Sequence, residues 1–143
     1  MRILFAASEC APFVKTGGLG DVVAALPRAL AKLDVDVRLL LPAYPALKKA
    51  LGGAGKATAF EDMYGGKVRL ISGQADGLNL LLLDAPHLFD RPGNPYAGPD
   101  GEDWPDNDLR YAALGRAAAK IAGGALKGWA PDVVHAHDWQ AGM

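Results

Sequence analysis

The chain has 143 residues, of which 50% are hydrophobic and 22% are charged, and its formal net charge is −1. This length predicts a single domain, and the near-zero charge gives no electrostatic support for a nucleic-acid partner or an anionic membrane surface. The single cysteine, Cys10, excludes an internal disulfide and a cysteine-based zinc cluster, and one thiol is typical of a reducing compartment.

The amino-terminal third predicts a strand, a loop and a helix. The mostly apolar run RILFAASE at residues 2–9 is typical of a strand buried on both faces. The proline and glycines of residues 10–20 predict a loop. Residues 21–33 have apolar side chains at helical spacing. Asp21 stands at the N-cap or first turn of this helix, and Pro27 is expected to kink or locally break it.

Strand patterns dominate the middle of the chain. We predict a second strand at 35–42, a short helix at 45–51, and further strands at 57–61, 67–72 and 78–84. Turn signals separate the later strands at Gly65-Gly66 and Asp76-Gly77. The strand at 78–84 is the most apolar, which indicates a central place in the sheet. No apolar run is long enough to span a bilayer and no signal peptide is indicated, so we expect a soluble, cytoplasmic protein.

The carboxyl-terminal part begins with an unusually long irregular segment. Residues 85–107 are rich in proline and glycine, and their aromatic side chains argue against disorder, so they predict an ordered functional loop. A long helix is predicted from residue 108 to residue 126, capped by one of three residues, Asp106, Asn107 or Asp108. A strand follows at 133–137, and residues 139–143 are predicted to begin another helix.

This order of elements predicts an α/β, Rossmann-like domain with a mainly parallel sheet flanked by helices. Ligands of such sheets bind outside the carboxyl ends of the strands. Three unusual segments follow predicted strands, namely KTGGLGD at 15–21, the loop 85–107 and HAHDW at 135–139. We therefore expect these segments to meet at one rim of the sheet and to form a binding site.

The glycine segment does not match the common nucleotide motifs. Its spacing is G-G-x-G, which disfavours a nicotinamide fingerprint, and its Lys-Thr pair precedes the glycines, which disfavours a Walker A loop. Glycines before a helix let a phosphate approach the free N–H groups and the positive end of the helix dipole. Lys15 would add a flexible positive charge. The alternative is a tight strand-to-helix turn with Lys15 solvated, and the residues alone leave both readings open.

Two functions suit the residue types of the HAHD segment, namely metal binding and sugar binding. His135 and His137 point to one face of a strand, but the only other histidine, His87, lies in another segment, so no metal site is predicted. One histidine is expected to be a packed, hydrogen-bonded core residue and the other to face the rim. Asp138 either accepts hydrogen bonds from sugar hydroxyl groups or caps a helix that begins at Trp139.

Aromatic rings and carboxylates elsewhere on the rim suit a carbohydrate. Phe89, Tyr96 and Trp104 can stack on sugar faces, although at least two of the three are expected to pin the loop instead. Glu9 either faces the same rim or is a solvated loop carboxylate. Cys10 has no neighbouring histidine, so a buried or incidental thiol is favoured over a nucleophile.

Four segments together resemble one known family. They are ILFAASECAPFVKTGGLGDVVAALPRAL, VRLLLPAYP, PHLFDRPGNPYAGPDGEDWPDNDLRYAALGRAA and PDVVHAHDWQAGM. In order and spacing they closely resemble bacterial glycogen synthase and plant starch synthase, whereas residues 52–77 match weakly. The combination of KTGGLGDV near the amino terminus with HAHDW further on is highly specific.

The resemblance implies a retaining glucosyltransferase of the two-domain glycosyltransferase-B fold. Such an enzyme moves glucose from ADP-glucose to the non-reducing end of an α-1,4-glucan such as glycogen, and it needs no metal or other cofactor at its centre. The implied donor-binding residues are Lys15, Gly17, Gly18 and Asp21. The implied residues around the sugar and acceptor are Asp138 and Glu9, taken as catalytic, and Tyr96 and His137.

The resemblance also implies a partial protein, because members of the family are several times longer. Residues 1–143 would form a partial N-terminal Rossmann-like domain, with the C-terminal nucleotide-binding domain absent. We therefore expect an N-terminal fragment of a glycogen synthase that is inactive alone and exposes apolar surface for self-association. Two alternatives are a free-standing Rossmann-like module that binds a nucleotide or glucan without catalysis, and an NAD-type oxidoreductase domain, which the glycine spacing disfavours.

Overall fold

The computed structural model describes all residues, Met1–Met143. The strands are β1 (Arg2–Ala6), β2 (Asp36–Pro42), β3 (Lys56–Ala59), β4 (Arg69–Ala75), β5 (Leu78–Asp84) and β6 (Val133–Ala136). The helices are α1 (Gly18–Ala31), α2 (Pro45–Leu51), α3 (Pro86–Phe89) and α4 (Asn107–Lys120), and a π-helical turn at Ile121–Ala125 continues α4. No helix is long and apolar enough to cross a membrane.

The strands form one six-stranded sheet with the order β3-β4-β5-β2-β1-β6. Strands β5, β2, β1 and β6 are parallel, while β4 is antiparallel to both β5 and β3. The antiparallel part begins at the two-residue turn Asp76-Gly77, where both residues have positive φ, 49° and 69°. This is the hairpin turn that Asp-Gly favours. The prediction of an α/β, mainly parallel sheet flanked by helices is therefore confirmed.

The core lies on both faces of the central strands. Their apolar runs are buried because helices cover the parallel part of the sheet. Fully buried examples are Leu4, Phe5, Leu39, Leu40 and Leu82. The predicted central place of β5 is confirmed, since it lies between β4 and β2.

Helix α1 confirms one sequence prediction and contradicts another. It begins at Gly18, so Asp21 lies in the first turn, which is one of its two predicted places, and the N-cap residue Gly17 provides no side-chain hydrogen bond. The helix also continues through Pro27 without a break. Pro27 is buried, and its packing offsets the backbone hydrogen bond that a proline cannot donate.

Two predicted boundaries near the carboxyl terminus need correction. The predicted helix 108–126 is confirmed as α4, but its last turn, Ile121–Ala125, is π-helical and contains Gly124, whose φ of 94° is not helical. The helix expected at 139–143 does not form. Two successive turns stand there instead, from the N–H of Ala141 to the carbonyl of Asp138 and from the N–H of Gly142 to the carbonyl of Trp139. So short a segment makes too few bonds to repay helix nucleation.

Strand β6 forms one edge of the sheet. Its side chains are exposed, including those of Val133 and Val134, and the neighbouring Trp139 is exposed as well. The expectation of exposed apolar surface is thus confirmed at this edge. Self-association through it stays a prediction.

Candidate functional site

The three predicted rim segments meet at the carboxyl ends of β1 and β6. The hydroxyl group of Tyr96, in the loop 85–107, donates to the Glu9 carboxylate just beyond β1 at 2.5 Å. The Tyr96 ring centre lies 6.5 Å from that of Trp139, just beyond β6. The Glu9 carboxylate also accepts from the N–H of Thr16, in the segment 15–21, at 2.6 Å. The structure therefore brings the three segments together, as the parallel topology predicts.

Glu9 is buried and its carboxylate is hydrogen-bonded to the glycine loop. It is 3% exposed, so the alternative of a solvated carboxylate is wrong. Oε1 accepts from the Thr16 hydroxyl group at 2.6 Å and from Tyr96, and Oε2 accepts from the N–H groups of Thr16 at 2.6 Å and Gly17 at 3.4 Å. Burial by itself would raise the pKa of Glu9, but these hydrogen bonds outweigh it and lower the pKa. The group is thus charged at neutral pH and fixes the path of the loop.

Tyr96 is held at both ends. Its hydroxyl group bonds Glu9 and lies 2.8 Å from Ser8 Oγ, and its backbone N–H donates to Asn94 Oδ1 at 2.8 Å. The Asn107 side chain donates to its carbonyl at 2.9 Å. Burial and the neighbouring carboxylate raise the pKa of Tyr96, so it is a neutral donor. The ordered loop predicted at 85–107 is confirmed around this residue.

The glycines of the loop have different surroundings. A Cβ atom added at Gly17 or Gly18 would meet no atom within 4 Å, and neither residue has a positive φ. At Gly20 an added Cβ would lie 3.3 Å from the Lys15 side chain. The tight-turn alternative therefore finds no support at Gly17 and Gly18, which border open space. The N–H groups of Gly18 and Leu19 donate to no protein acceptor, so the start of α1 is open to a ligand.

Lys15 and Asp21 form an ion pair across the start of α1. Their Nζ and Oδ2 atoms are 2.8 Å apart, and about half of each side chain is exposed. Exposed pairs of this kind contribute only about 0–1 kcal/mol. The pair is therefore easily exchanged for contacts with a ligand.

Asp138 adopts a backbone conformation that is rare for its residue type. Its φ is 63°, in the left-handed region, and its Oδ1 accepts from the N–H of Trp139 at 2.7 Å. No helix follows, so the alternative role of Asp138 as a helix cap is wrong. A non-glycine residue held in this region costs about 1–3 kcal/mol, and such residues cluster at functional sites. The exposed carboxylate is presented at the rim, as predicted.

The two histidines share one face, as predicted. Their rings stack with centres 4.0 Å apart, and both contact Phe5, at 4.8 Å for His135 and 4.6 Å for His137. His137 is the packed one, with 7% exposure, but its Nε2 is enclosed without the expected hydrogen-bond partner. Burial, and then repulsion from His135, lower the pKa of His137 to about 4. It is therefore neutral at pH 7. A direct contact of His137 with a sugar stays a prediction.

Most loop aromatics pin the chain, as expected. Phe89 is buried, and the ring of Trp104 lies under the guanidinium group of Arg91 at 4.9 Å. Trp139 lies in the predicted rim segment HAHDW, but the sequence analysis gave it no role of its own. Its ring is half exposed and meets Tyr111 edge-on at 5.4 Å. Its place directly after Asp138 was the available signal.

A second missed feature is Arg110, whose side chain lines a cleft of about 480 Å³ beside the glycine loop. Arg110 is buried in α4, whereas an arginine on a helix is ordinarily exposed and buried helix positions are ordinarily apolar. No sequence signal marks it. No cluster of three or more His, Cys, Asp or Glu side chains is arranged to hold a metal ion.

Residues 2–143 match the family model described as the starch synthase catalytic domain. The chain belongs to this family. It is 57% identical over 143 residues to a glycogen synthase of Roseobacter denitrificans, covering 100% of this chain and 30% of that protein. It is 54% identical to a glycogen synthase of Rhodopseudomonas palustris (strain HaA2), with 100% and 30% covered. The chain thus spans 30% of the length of these curated relatives.

A solved structure supports the same family. The fold matches the catalytic domain of starch synthase IV from Arabidopsis thaliana bound to ADP and acarbose, with a TM-score of 0.79 and 30% identity. The match covers 98% of this chain and 28% of that chain. The resemblance to glycogen and starch synthases is confirmed, and with it the fold class. The roles of individual residues stay predictions.

Proposed function

We propose that this chain is the N-terminal part of a glycogen synthase, which moves glucose from ADP-glucose to the non-reducing end of an α-1,4-glucan with retention at the anomeric carbon. The observation that carries the proposal is the rim itself, where the charged Glu9 is bonded to both the glycine loop and Tyr96, and the Tyr96 ring lies 6.5 Å from that of Trp139. The relatives named glycogen synthase and the starch synthase IV structure, which holds ADP and acarbose, support a nucleotide-sugar donor and a glucan acceptor.

The donor side of the proposal rests on the start of α1. Gly17 and Gly18 leave room for a diphosphate and its glucose, and the free N–H groups at the helix start favour an anion. Lys15 would leave Asp21 and balance the diphosphate charge, and the loss of a weak exposed pair makes this exchange inexpensive. Asp21 would then be free to contact the donor.

The acceptor side rests on Asp138, Tyr96 and His137. The departing diphosphate and the positively charged sugar are stabilised electrostatically in the transition state. We assign the exposed Asp138 carboxylate to the sugar, with Tyr96 and the neutral His137 lining the acceptor side. Glu9 would contribute its negative charge and its hold on the loop, since all its hydrogen bonds are made to Thr16, Gly17 and Tyr96.

Residues 1–143 provide only one side of this cleft in our proposal. A C-terminal nucleotide-binding domain outside these residues would provide the other side, as the 30% coverage of the relatives suggests. We place the enzyme in the cytoplasm, where a buried free thiol such as Cys10 persists.

The test is transfer of labelled glucose from ADP-glucose to glycogen. We expect no transfer by the 143-residue chain and transfer by a protein extended to the length of its relatives. In the extended protein, Lys15→Gln should raise the KM for ADP-glucose by about tenfold or more, which corresponds to about 1.4 kcal/mol. The matched control is Lys49→Gln, an exposed lysine of α2 that makes no ion pair. Unchanged kinetics for Lys15→Gln would remove this lysine from the site.

The second candidate is a nucleotide- or glucan-binding module without catalysis, which the open N–H groups at the start of α1 would serve equally well. It predicts that the 143-residue chain binds ADP or maltooligosaccharide and that no extension creates transfer. Transfer by the extended protein would exclude it.

A further inference from the structure

The cleft beside the glycine loop has an unusual charge. Its volume of about 480 Å³ falls in the range of small-molecule sites. Three cationic residues line it, and no carboxylate does; the cations are Lys15, Arg91 and Arg110. The whole chain has a net charge of −1, so this local excess of positive charge is not a reflection of overall composition.

Arg110 is the buried cation that lines the cleft. It is 1% exposed, and its acceptors are all uncharged. Nε donates to the carbonyl of Leu88 at 2.7 Å, and Nη1 donates to the carbonyl of Pro95 at 3.0 Å and to Asn107 Oδ1 at 2.5 Å. Nη2 donates to no protein atom. Burying a charge without an opposite charge is costly. An anion in the cleft would offset this cost.

The neighbouring guanidinium group does not relieve this excess. Arg91 takes both oxygens of Asp106, at 2.7 and 2.6 Å, and lies over Trp104. Both carboxylate oxygens of Asp106 are therefore bonded to Arg91, and Asp106 does not line the cleft. The two arginines and one carboxylate leave one positive charge beside the cleft.

We propose that this cleft binds the phosphate group of a small organic phosphate other than the nucleotide-sugar donor. Arginine favours phosphate because its planar donors match the phosphate oxygens. The rings of Phe13 and Phe89 line the same cleft and suit the organic part of the ligand. Gly17, Gly18 and Asp138 do not line this cleft, whereas Lys15, which we assign to the donor, does. The proposed phosphate site therefore adjoins the donor position and rests on Arg91 and Arg110.

The test is a titration of the ¹⁵N-labelled 143-residue chain with inorganic phosphate and with glycerol 3-phosphate, followed by amide chemical shifts. We expect saturable shifts centred on Phe13 and Asn94, with glycerol 3-phosphate binding more tightly. Two variants add the same charge to the exposed side of α2. Ala46→Glu places a carboxylate in the cleft and should weaken binding by about tenfold, whereas Ala50→Glu lies outside the lining and should change it less than about twofold. Neither variant touches the Arg110 hydrogen bonds, so folding is preserved.

Three results would overturn the proposal. Shifts that do not saturate, or that weaken equally in both variants, would mean surface screening. Competitive displacement of phosphate by ADP-glucose would assign the cleft to the donor. Saturation of the same amides by maltotriose without any response to phosphate would assign it to a neutral sugar. The result does not depend on glucosyl transfer, so failure of the proposed function would leave this binding test intact.

Discussion

Replacing His137 by phenylalanine should remove most of the acid sensitivity of this fold above about pH 5. Burial, reinforced by His135, lowers the pKa of the folded His137 to about 4, against an ordinary value of 6.5. The unfolded chain therefore takes up the proton first as the pH falls. The stability contributed by the neutral imidazole is complete above pH 6.5 and is lost as the pH falls towards the folded-state value.

The size of the effect follows from the pKa difference. At about pH 5 the unfolded imidazole is almost fully protonated and the folded one almost neutral, so the free energy of unfolding falls by about 2 kcal/mol. The substitution itself should cost little at neutral pH. The His137 Nε2 is enclosed without a partner, so no hydrogen bond of that atom is lost, and a phenyl ring keeps the packing against Phe5.

The assay is urea unfolding followed by tryptophan fluorescence at about pH 7.5 and about pH 5. The unchanged chain should lose about 2 kcal/mol between the two conditions and His137→Phe should lose far less. His135→Phe is the matched control, and it should retain most of the loss because burial is the larger cause. The carboxylate of Glu9, whose pKa is lowered, acts only in more acidic solution. An equal loss in His137→Phe and the unchanged chain would refute the reasoning.

Three further predictions concern the rim and the sheet edge. Tyr96→Phe removes the hydroxyl group that lies 2.5 Å from the Glu9 carboxylate. The free energy of unfolding at neutral pH should fall by about 1.5–3 kcal/mol, and an unchanged urea midpoint would contradict a stabilising role of this hydrogen bond. Gly18→Ala should leave the urea midpoint unchanged or raise it slightly, since its Cβ meets nothing within 4 Å and alanine favours the helix over glycine. It should raise the KM of the extended enzyme for ADP-glucose, and normal kinetics would argue against a donor near this position. Val134→Lys should reduce concentration-dependent association in sedimentation, and an unchanged chain that is already a single monomeric species would disprove association through β6.

Much of the fold was accessible from the sequence because its signals are local. The apolar runs of β2 and β5, the helical spacing of α1 and the Asp76-Gly77 turn each reflect short-range chemistry. Parallel topology then placed Glu9, Tyr96 and Asp138 at one rim, because the carboxyl ends of parallel strands share one edge.

Other features depend on contacts that sequence patterns do not encode. Pro27 was expected to kink or locally break its helix, but the helix continues through it and its burial offsets the local penalty. The burial of Glu9 depends on Thr16, which donates its backbone N–H, and on Tyr96, which is distant in sequence. Neither contact can be predicted from the residues around Glu9. Arg110 occupies an interior position that helical periodicity reserves for apolar side chains, so its buried charge is visible only in the folded chain.

The left-handed backbone of Asp138 determines how mutagenesis at this position can be interpreted. Alanine tolerates a φ of 63° poorly, so Asp138→Ala would alter the path of the chain and the charge together. Asparagine adopts this conformation readily, so Asp138→Asn removes only the charge. Glycine adopts it without strain, so Asp138→Gly removes the charge and the backbone strain together. Comparing Asp138→Asn with Asp138→Gly separates the two contributions: a gain in stability confined to the glycine variant would measure the conformational strain carried by the aspartate.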